Sequence, residues 1–532
     1  LKPLDMKKVD ILLLCLVLAI VSAVGSRLPF SVNPNFMFQE QYGLAYNFAP
    51  HLGALCDPDP LKGLEGPTSN VTDQRSLSLL YVVPTKLLRS FVDTYALHRA
   101  LGLLFFAVTL IGLWGIARAL EFSLLATALL LTGVGLSTQL VSYLYESKLT
   151  ITSAAWFSVA LWCIASLERT LTTGQRRGAV KAAVLLPFLL ALSYETYTVS
   201  RPLAVMLLVF VGFRLCLGDI RGSRLRLIGS FLGSAALAGL TLKLLHPAMR
   251  FDQTLFEGRT ESLITPAGGL FHAWRETILA RISEIPTLFK WSPSYFSSET
   301  PAEAGALEIW LVFGVLAFIA LLAAARPGAT TLREALERNR SFYILVILIA
   351  GVAFTIPLFS ITHIRGHRLF ALFIALPIFI AAIIDALRKS DLKIVRHGSG
   401  FAAILIIIAL AAHRVPLILA WRPPPHFTFP LSQDTITALK TLPLPDGLSP
   451  QPNSVLVRVC DQAQPPSWEH FWNGALYVSD YGCKVGGAST RLSCDCGSRE
   501  FTDGLQGIVC LTRTSLNGEL QLSTHYIPLE GR

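Results

Sequence analysis

The chain has 532 residues, 52% hydrophobic and only 15% charged, with a formal net charge of +10. A soluble domain carries nearer a quarter charged residues, so this composition excludes an ordinary soluble protein and indicates a polytopic membrane protein. The basic balance does not indicate nucleic acid, because no basic stripe interleaved with aromatics and no zinc-finger spacing is present; basic loops that hold helix ends in the cytoplasm account for it.

Eleven apolar runs predict membrane spans near 11–29, 97–117, 122–142, 150–167, 179–193, 202–217, 227–245, 306–325, 342–361, 369–387 and 399–417. About 20 residues cross the hydrocarbon core, and backbone groups left unpaired in lipid would be costly, so all eleven are expected to be helical. The opening Met6-Lys7-Lys8 and the small residues Ser22-Ala23 also fit a cleaved leader. A retained first helix suits the loop charges better.

Just beyond that first run lies NPNFMFQEQYGLAYN, residues 33–47, with Glu40 the first acidic residue after the helix, beside Gln39, Gln41 and Tyr42. A carboxylate held where a helix leaves the bilayer can act on a substrate whose head group lies in that plane; otherwise it is a solvated loop charge. The same loop, 30–96, carries Asp57, Asp59, Asp73 and Asp93, and an apolar stretch, 79–88, interrupted by Pro84. Proline cannot continue the helical ladder, so two short surface helices are expected there.

Lysines and arginines set the orientation. They cluster in the N-terminal tail and after the fourth, sixth, eighth and tenth spans, for example Arg176 and Arg177, Arg224 and Arg226, Arg338 and Arg340, Arg388 and Lys389. With eleven spans all of these fall on the cytoplasmic side, and the C-terminal tail lies in a periplasm or lumen. A second outer loop, 246–305, places Leu270, Trp274, Ile278, Ile282 and Ile285 on one helical face, as in an interfacial helix or one packed on the protein itself.

Three outer turns are unusually polar: YESK at 145–148, SYETYTVSRP at 193–202 and THIRGHRLF at 362–370. Their basic members Lys148, Arg201, Arg365, His367 and Arg368 suit a phosphate, whose oxygens match the planar guanidinium fork. Any one of them alone is accounted for by snorkelling to the interface; the set carries the phosphate reading.

After Pro423-Pro424-Pro425 the composition becomes that of a soluble domain, with β-rich runs at 454–460, 475–482, 507–514 and 520–529. The expected architecture is an all-α polytopic membrane domain over 1–421, followed by a small α/β or β-rich extracytoplasmic domain over 422–532. Cys56, Cys460, Cys483, Cys494, Cys496 and Cys510 all fall on the outer side, where disulfides persist. Zinc ranks behind disulfides because no paired CxxC or nearby histidine spacing occurs. Cys15, Cys163 and Cys216 lie in apolar runs and read as core residues.

Taken in order and sidedness, these features resemble the GT-C class of integral-membrane glycosyltransferases, which includes protein O-mannosyltransferases and the aminoarabinose transferases of lipid A. QEQYG (39–43) resembles the acidic motif that opens that class's first outer loop, with Gln39 where an Asp is usual. YESK resembles its polar turn between the third and fourth helices. HRLFALFIALPIFIAA (367–382) resembles a late helix opening with Arg-Tyr, with Leu369 in the Tyr position. The resemblance, over residues 10–420, implies transfer of a sugar from a polyprenyl-phosphate carrier lipid to a glycan, lipid or protein acceptor on the outer side. It implies Glu40 as general base, with Asp57, Asp59 and Asp73 as alternatives. It also implies Arg368, with Lys148, Arg201, His367 or Arg365, on the phosphate. Members of the class differ in their use of a divalent metal, and no clear ligand set stands out, so the metal stays unassigned. The rival reading is a GT-C-like scaffold or accessory subunit whose outer domain binds a protein partner. A transporter would require discontinuous helices and inverted repeats, and no such symmetry is visible.

Overall fold

Long apolar runs satisfy their backbone internally as helices, and nine of the eleven expected spans correspond to helices of the computed structural model. The structure describes residues 94–137, 140–141, 148–173, 176–196, 200–217, 224–245, 340–358, 370–390, 392–420, 455–461, 507–516 and 519–528, with isolated positions 21, 80, 84, 334 and 337. The helices are α1 (Thr94–Ala119), α2 (Leu124–Gly135), α3 (Lys148–Thr173), α4 (Arg176–Thr196), α5 (Ser200–Leu217), α6 (Arg224–Leu245), α7 (Arg340–Leu358), α8 (Phe370–Arg388) and α9 (Lys393–Ala420). Among the described residues seven helices, all but α2 and α7, are long and apolar enough to cross a membrane. The expected spans at 11–29 (Val21 apart) and 306–325, and the surface segments 79–88 (Leu80 and Pro84 apart) and 270–285, lie outside the described residues.

α8 is the most enclosed of these spans. Phe370 at its start meets Phe157 of α3 edge to face, with ring centres 5.8 Å apart. Phe105 of α1 meets Trp156 of α3 at 5.7 Å. Such pairs add to the burial itself because ring edges are positive and faces negative. α1 approaches α3 closely: a Cβ on Gly112 would come within 2.8 Å of the Ser158 carbonyl carbon. Outward-facing positions stay apolar, with Val205, Val209, Phe213 and Leu217 exposed at four-residue spacing along α5. In water such a stripe would drive association; lipid is the solvent it suits.

One end of the helical unit is closed by a polar clasp. Glu121 adopts a left-handed backbone, φ 57°, in the turn between α1 and α2. Ser123 then caps α2, its hydroxyl accepting the Ala126 N–H at 3.4 Å. Asp385 of α8 accepts the Ser123 N–H at 2.7 Å and pairs with Lys389 at 2.5 Å. Arg169, late in α3, donates to the Arg118 carbonyl at 3.2 Å and to Glu121 at 2.9 Å. The loops after the second, fourth and tenth expected spans therefore meet at one end, as the charge pattern requires.

The third span departs from expectation. An uninterrupted helix is expected over 122–142, but α2 ends at Gly135 and Leu136 leaves helical geometry. Gly133 and Gly135 weaken the helix locally. Past the break the Ser137 carbonyl accepts the Val141 N–H at 2.8 Å and its hydroxyl the Leu140 N–H at 3.4 Å. Cys216 is also corrected: it is exposed on α5 rather than in a core, while Cys163 is half-buried.

A second unit holds three described strands: β1 (Val455–Asp461), β2 (Gly507–Leu516) and β3 (Glu519–Pro528). β1 runs parallel to β2, and β2 pairs antiparallel with β3. Leu516 pairs with Glu519, so two residues, Asn517 and Gly518, join them; that dipeptide is the favoured sequence for such a hairpin. The expected strand at 475–482 lies outside the described residues. In the β1–β2 register Cys510 stands opposite Arg458, and Cys460 opposite Thr512. An offset of two positions across adjacent strands separates their Cα atoms by roughly 8 Å, beyond the ~7 Å a disulfide spans. Mass mapping without reductant should therefore find no Cys460–Cys510 bond, and a bond between them would contradict this register. Cys56, Cys483, Cys494 and Cys496 lie outside the described residues.

Candidate functional site

On the face that loop charge assigns to the outside, the described residues centre on the turn between α4 and α5. α4 ends in Ser193, Tyr194, Glu195 and Thr196, all buried, and α5 begins with buried Ser200 and half-buried Arg201. Thr196 returns its hydroxyl to the Leu192 carbonyl at 2.6 Å, which closes the last turn of α4. Arg201 folds back over the same turn. Its Nε donates to the Tyr194 carbonyl at 3.3 Å, and its guanidinium carbon lies 5.4 Å from the centre of the Tyr194 ring. That contact orders a cation in the first turn of a candidate membrane span, and the aromatic face is a good partner for a partly desolvated guanidinium.

α3 contributes at the same depth. Spans separated by only two and three residues must alternate in direction, so α3 and α5 run the same way. They are pinned by Glu168 and Arg214, whose two parallel hydrogen bonds measure 2.6 and 2.7 Å. Ser200 precedes Arg214 by fourteen residues, and Ala154 precedes Glu168 by the same number. At about 1.5 Å per residue Ser200 lies near the level of Ser153, and Thr150 and Thr152 are fully buried just above. The Ser153 hydroxyl, the Ser200 hydroxyl and the Trp156 indole N–H are buried with no hydrogen-bond partner. Buried polar groups usually find partners, so this layer retains capacity to give and accept hydrogen bonds.

Of the residues singled out from sequence, Arg201 is described in full, and Lys148 begins α3 with its side chain outside the described set. Glu40, Asp57, Asp59, Asp73, Arg365, His367 and Arg368 lie outside the described residues. Among the described residues no group of three His, Cys, Asp or Glu side chains is placed to hold a metal. Sequence reading passed over Asp385 and Arg414, both buried, and noted Glu195, also buried, only as part of the polar turn at 193–202. The available signal was their charge inside or beside apolar runs, where ionisable residues default to functional candidates.

No family model matches this chain, and no curated protein matches it by sequence. Solved structures do resemble it. The archaeal oligosaccharyltransferase AglB from Archaeoglobus fulgidus, in complex with an inhibitory peptide and a dolichol-phosphate, superposes with a TM-score of 0.50 at 10% identity, covering 94% of this chain and 69% of that one. A second structure of the A. fulgidus oligosaccharyltransferase, tethered to an acceptor peptide, gives 0.43 at 11% identity, over 93% and 68% of the two chains. ArnT from Cupriavidus metallidurans bound to undecaprenyl phosphate gives 0.39 at 12% identity, over 94% and 92%. At 10% identity, the first of these shows a shared fold. The chain has the fold of the GT-C integral-membrane glycosyltransferases, the class its sequence resembles.

Proposed function

We propose that this protein is a membrane glycosyltransferase that moves a sugar from a polyprenyl-phosphate donor to an acceptor on the periplasmic or luminal face. The observation that carries the reading is the fold shared with AglB, a protein solved with a dolichol-phosphate. Glu40 is the general base that takes the acceptor's proton as the acceptor attacks the anomeric carbon, with Asp57, Asp59 and Asp73 as alternatives. Arg368, aided by His367, Arg365, Lys148 and Arg201, holds the phosphate and stabilises it as the leaving group. Arg201, ordered against Tyr194, supports this assignment at the one position described in full. The acceptor is a glycan, a lipid or a protein.

The test is mass spectrometry of lipids that copurify with the protein, followed by transfer assays with polyprenyl-phosphate sugars. A copurifying polyprenyl phosphate and a sugar-bearing product are expected. A wild-type protein that transfers no sugar from any polyprenyl donor leaves the non-catalytic scaffold as the correct reading.

The reading requires the catalytic loop and the C-terminal domain on one side. An impermeant maleimide applied from outside should label cysteines introduced at Asp73 and Ser515 and spare one at Thr172. Outside labelling at Thr172 would overturn the eleven-span topology. The outer cysteines should be largely oxidised; with five in the tail, one is free or reaches Cys56 in the first loop. Finding all six as free thiols would reject that.

A further inference from the structure

The break in the third span raises a problem that one residue solves. The last carbonyls of any helix lack intrahelical partners, and here the helix ends after twelve residues, about 18 Å and well short of the roughly 30 Å hydrocarbon core. Irregular backbone at that depth is tolerated only where protein satisfies it. Arg414, from the last span, does so: its Nη1 donates to the Leu136 carbonyl at 3.2 Å and to the Gly133 carbonyl at 3.5 Å. It is 6% exposed. A cation at a helix C-terminus also faces the negative end of the helix dipole.

Two further contacts converge on this segment. A Cβ on Gly133 would come within 3.1 Å of Pro377 in α8, and a Cβ on Gly135 within 2.8 Å of Val21 in the first span. The break is thus where Val21 and the third, tenth and last spans meet. Along the chain, the first span leads toward Glu40, the outer half of the third leads into YESK and Lys148, and α8 follows directly on Arg368. A continuous third helix would need no buried arginine, and a guanidinium in a membrane span is expensive. Its presence argues that the break is built in.

We propose that Arg414 is a positioning residue: by capping the C-terminal end of α2 it holds the break in the third span fixed against α8 and α9. Its consequence for activity rests on the glycosyltransferase reading; the clamp itself does not.

The test compares wild type with Arg414→Met, which keeps bulk without charge, and Arg414→Lys, which keeps charge and some donors. Amide hydrogen exchange is measured on the full chain in nanodiscs, beside kcat and KM for a polyprenyl-phosphate sugar. Arg414→Met should raise exchange at 136–144 by about ten-fold with α3 to α6 unchanged, the signature of local opening. KM for the donor should rise more than kcat falls, and Arg414→Lys should restore most of both. Unchanged exchange at 136–144, or a uniform rise across all helices, overturns the proposal. If Arg414→Met does not fold, Arg414→Gln, which keeps one donor without charge, takes its place: a rise confined to 136–144 supports the clamp, and any other pattern overturns it. If the wild type transfers no sugar, the glycosyltransferase reading falls, and the exchange data still decide the clamp.

Discussion

Glu40→Gln is expected to lower sugar transfer by roughly 10²–10⁴-fold, the usual contribution of a positioned general base, while leaving lipid-phosphate binding intact. Glutamine keeps the size of the side chain and its capacity to hydrogen-bond, so the change isolates proton removal. Arg368→Ala should show the opposite pattern. It deletes a charge-assisted contact worth about 1.5–3 kcal/mol, and donor affinity should fall by about 10–100-fold before any effect on the chemical step. The measurement is single-turnover transfer beside equilibrium binding of polyprenyl phosphate for both variants. Wild-type transfer by Glu40→Gln would show that Glu40 is a solvated loop charge, and the base would then be sought at Asp57, Asp59 and Asp73.

The largest expected effect on stability is at the other end of the helices. Asp385→Ala should destabilise the helical unit by about 2–3 kcal/mol, the upper range for a hydrogen bond to a charged group, because water takes up the charge of the half-exposed Lys389. Asp385 is 3% exposed and serves two partners, the Ser123 N–H at the start of α2 and the Lys389 ammonium. Its loss leaves the half-buried Ser123 N–H, at the N-cap of α2, without this acceptor. Asp385→Asn retains an acceptor for that amide and should cost less, about 1–2 kcal/mol. Reversible unfolding in mixed micelles resolves the two. A loss below about 1 kcal/mol for Asp385→Ala would mean that the clasp around Ser123 and Glu121 does not hold α8 to α2.

Both predictions concern ionisable residues in or beside apolar segments, yet they were not equally legible. Glu40 stood out because it is the first acid after an apolar run. Asp385 sits inside the tenth expected span and was absorbed into it, because an apolar window averages a single charge away. Arg414 was lost in the same manner in the eleventh.

Hydropathy located the spans because transfer of apolar side chains from water is local and additive along the chain. That is why nine of the expected spans find helices, and why α4 and α5, expected to be short, end within a few residues of their predicted limits. Loop charge correctly grouped the ends that meet around Glu121, because the same local signal governs which side a loop takes. The order of polar motifs along the chain was enough to indicate the GT-C fold that AglB shares. Tertiary structure alone decided where the third span breaks. Where its backbone ends at Gly135, Arg414, 281 residues along the chain from Gly133, donates to the Gly133 carbonyl. It also decided that Arg201 turns back onto Tyr194, that Cys216 faces outward, and that Cys460 and Cys510 stand two positions out of register. Each of these depends on which segments are brought together, and a one-dimensional pattern sums over neighbours in sequence rather than neighbours in space.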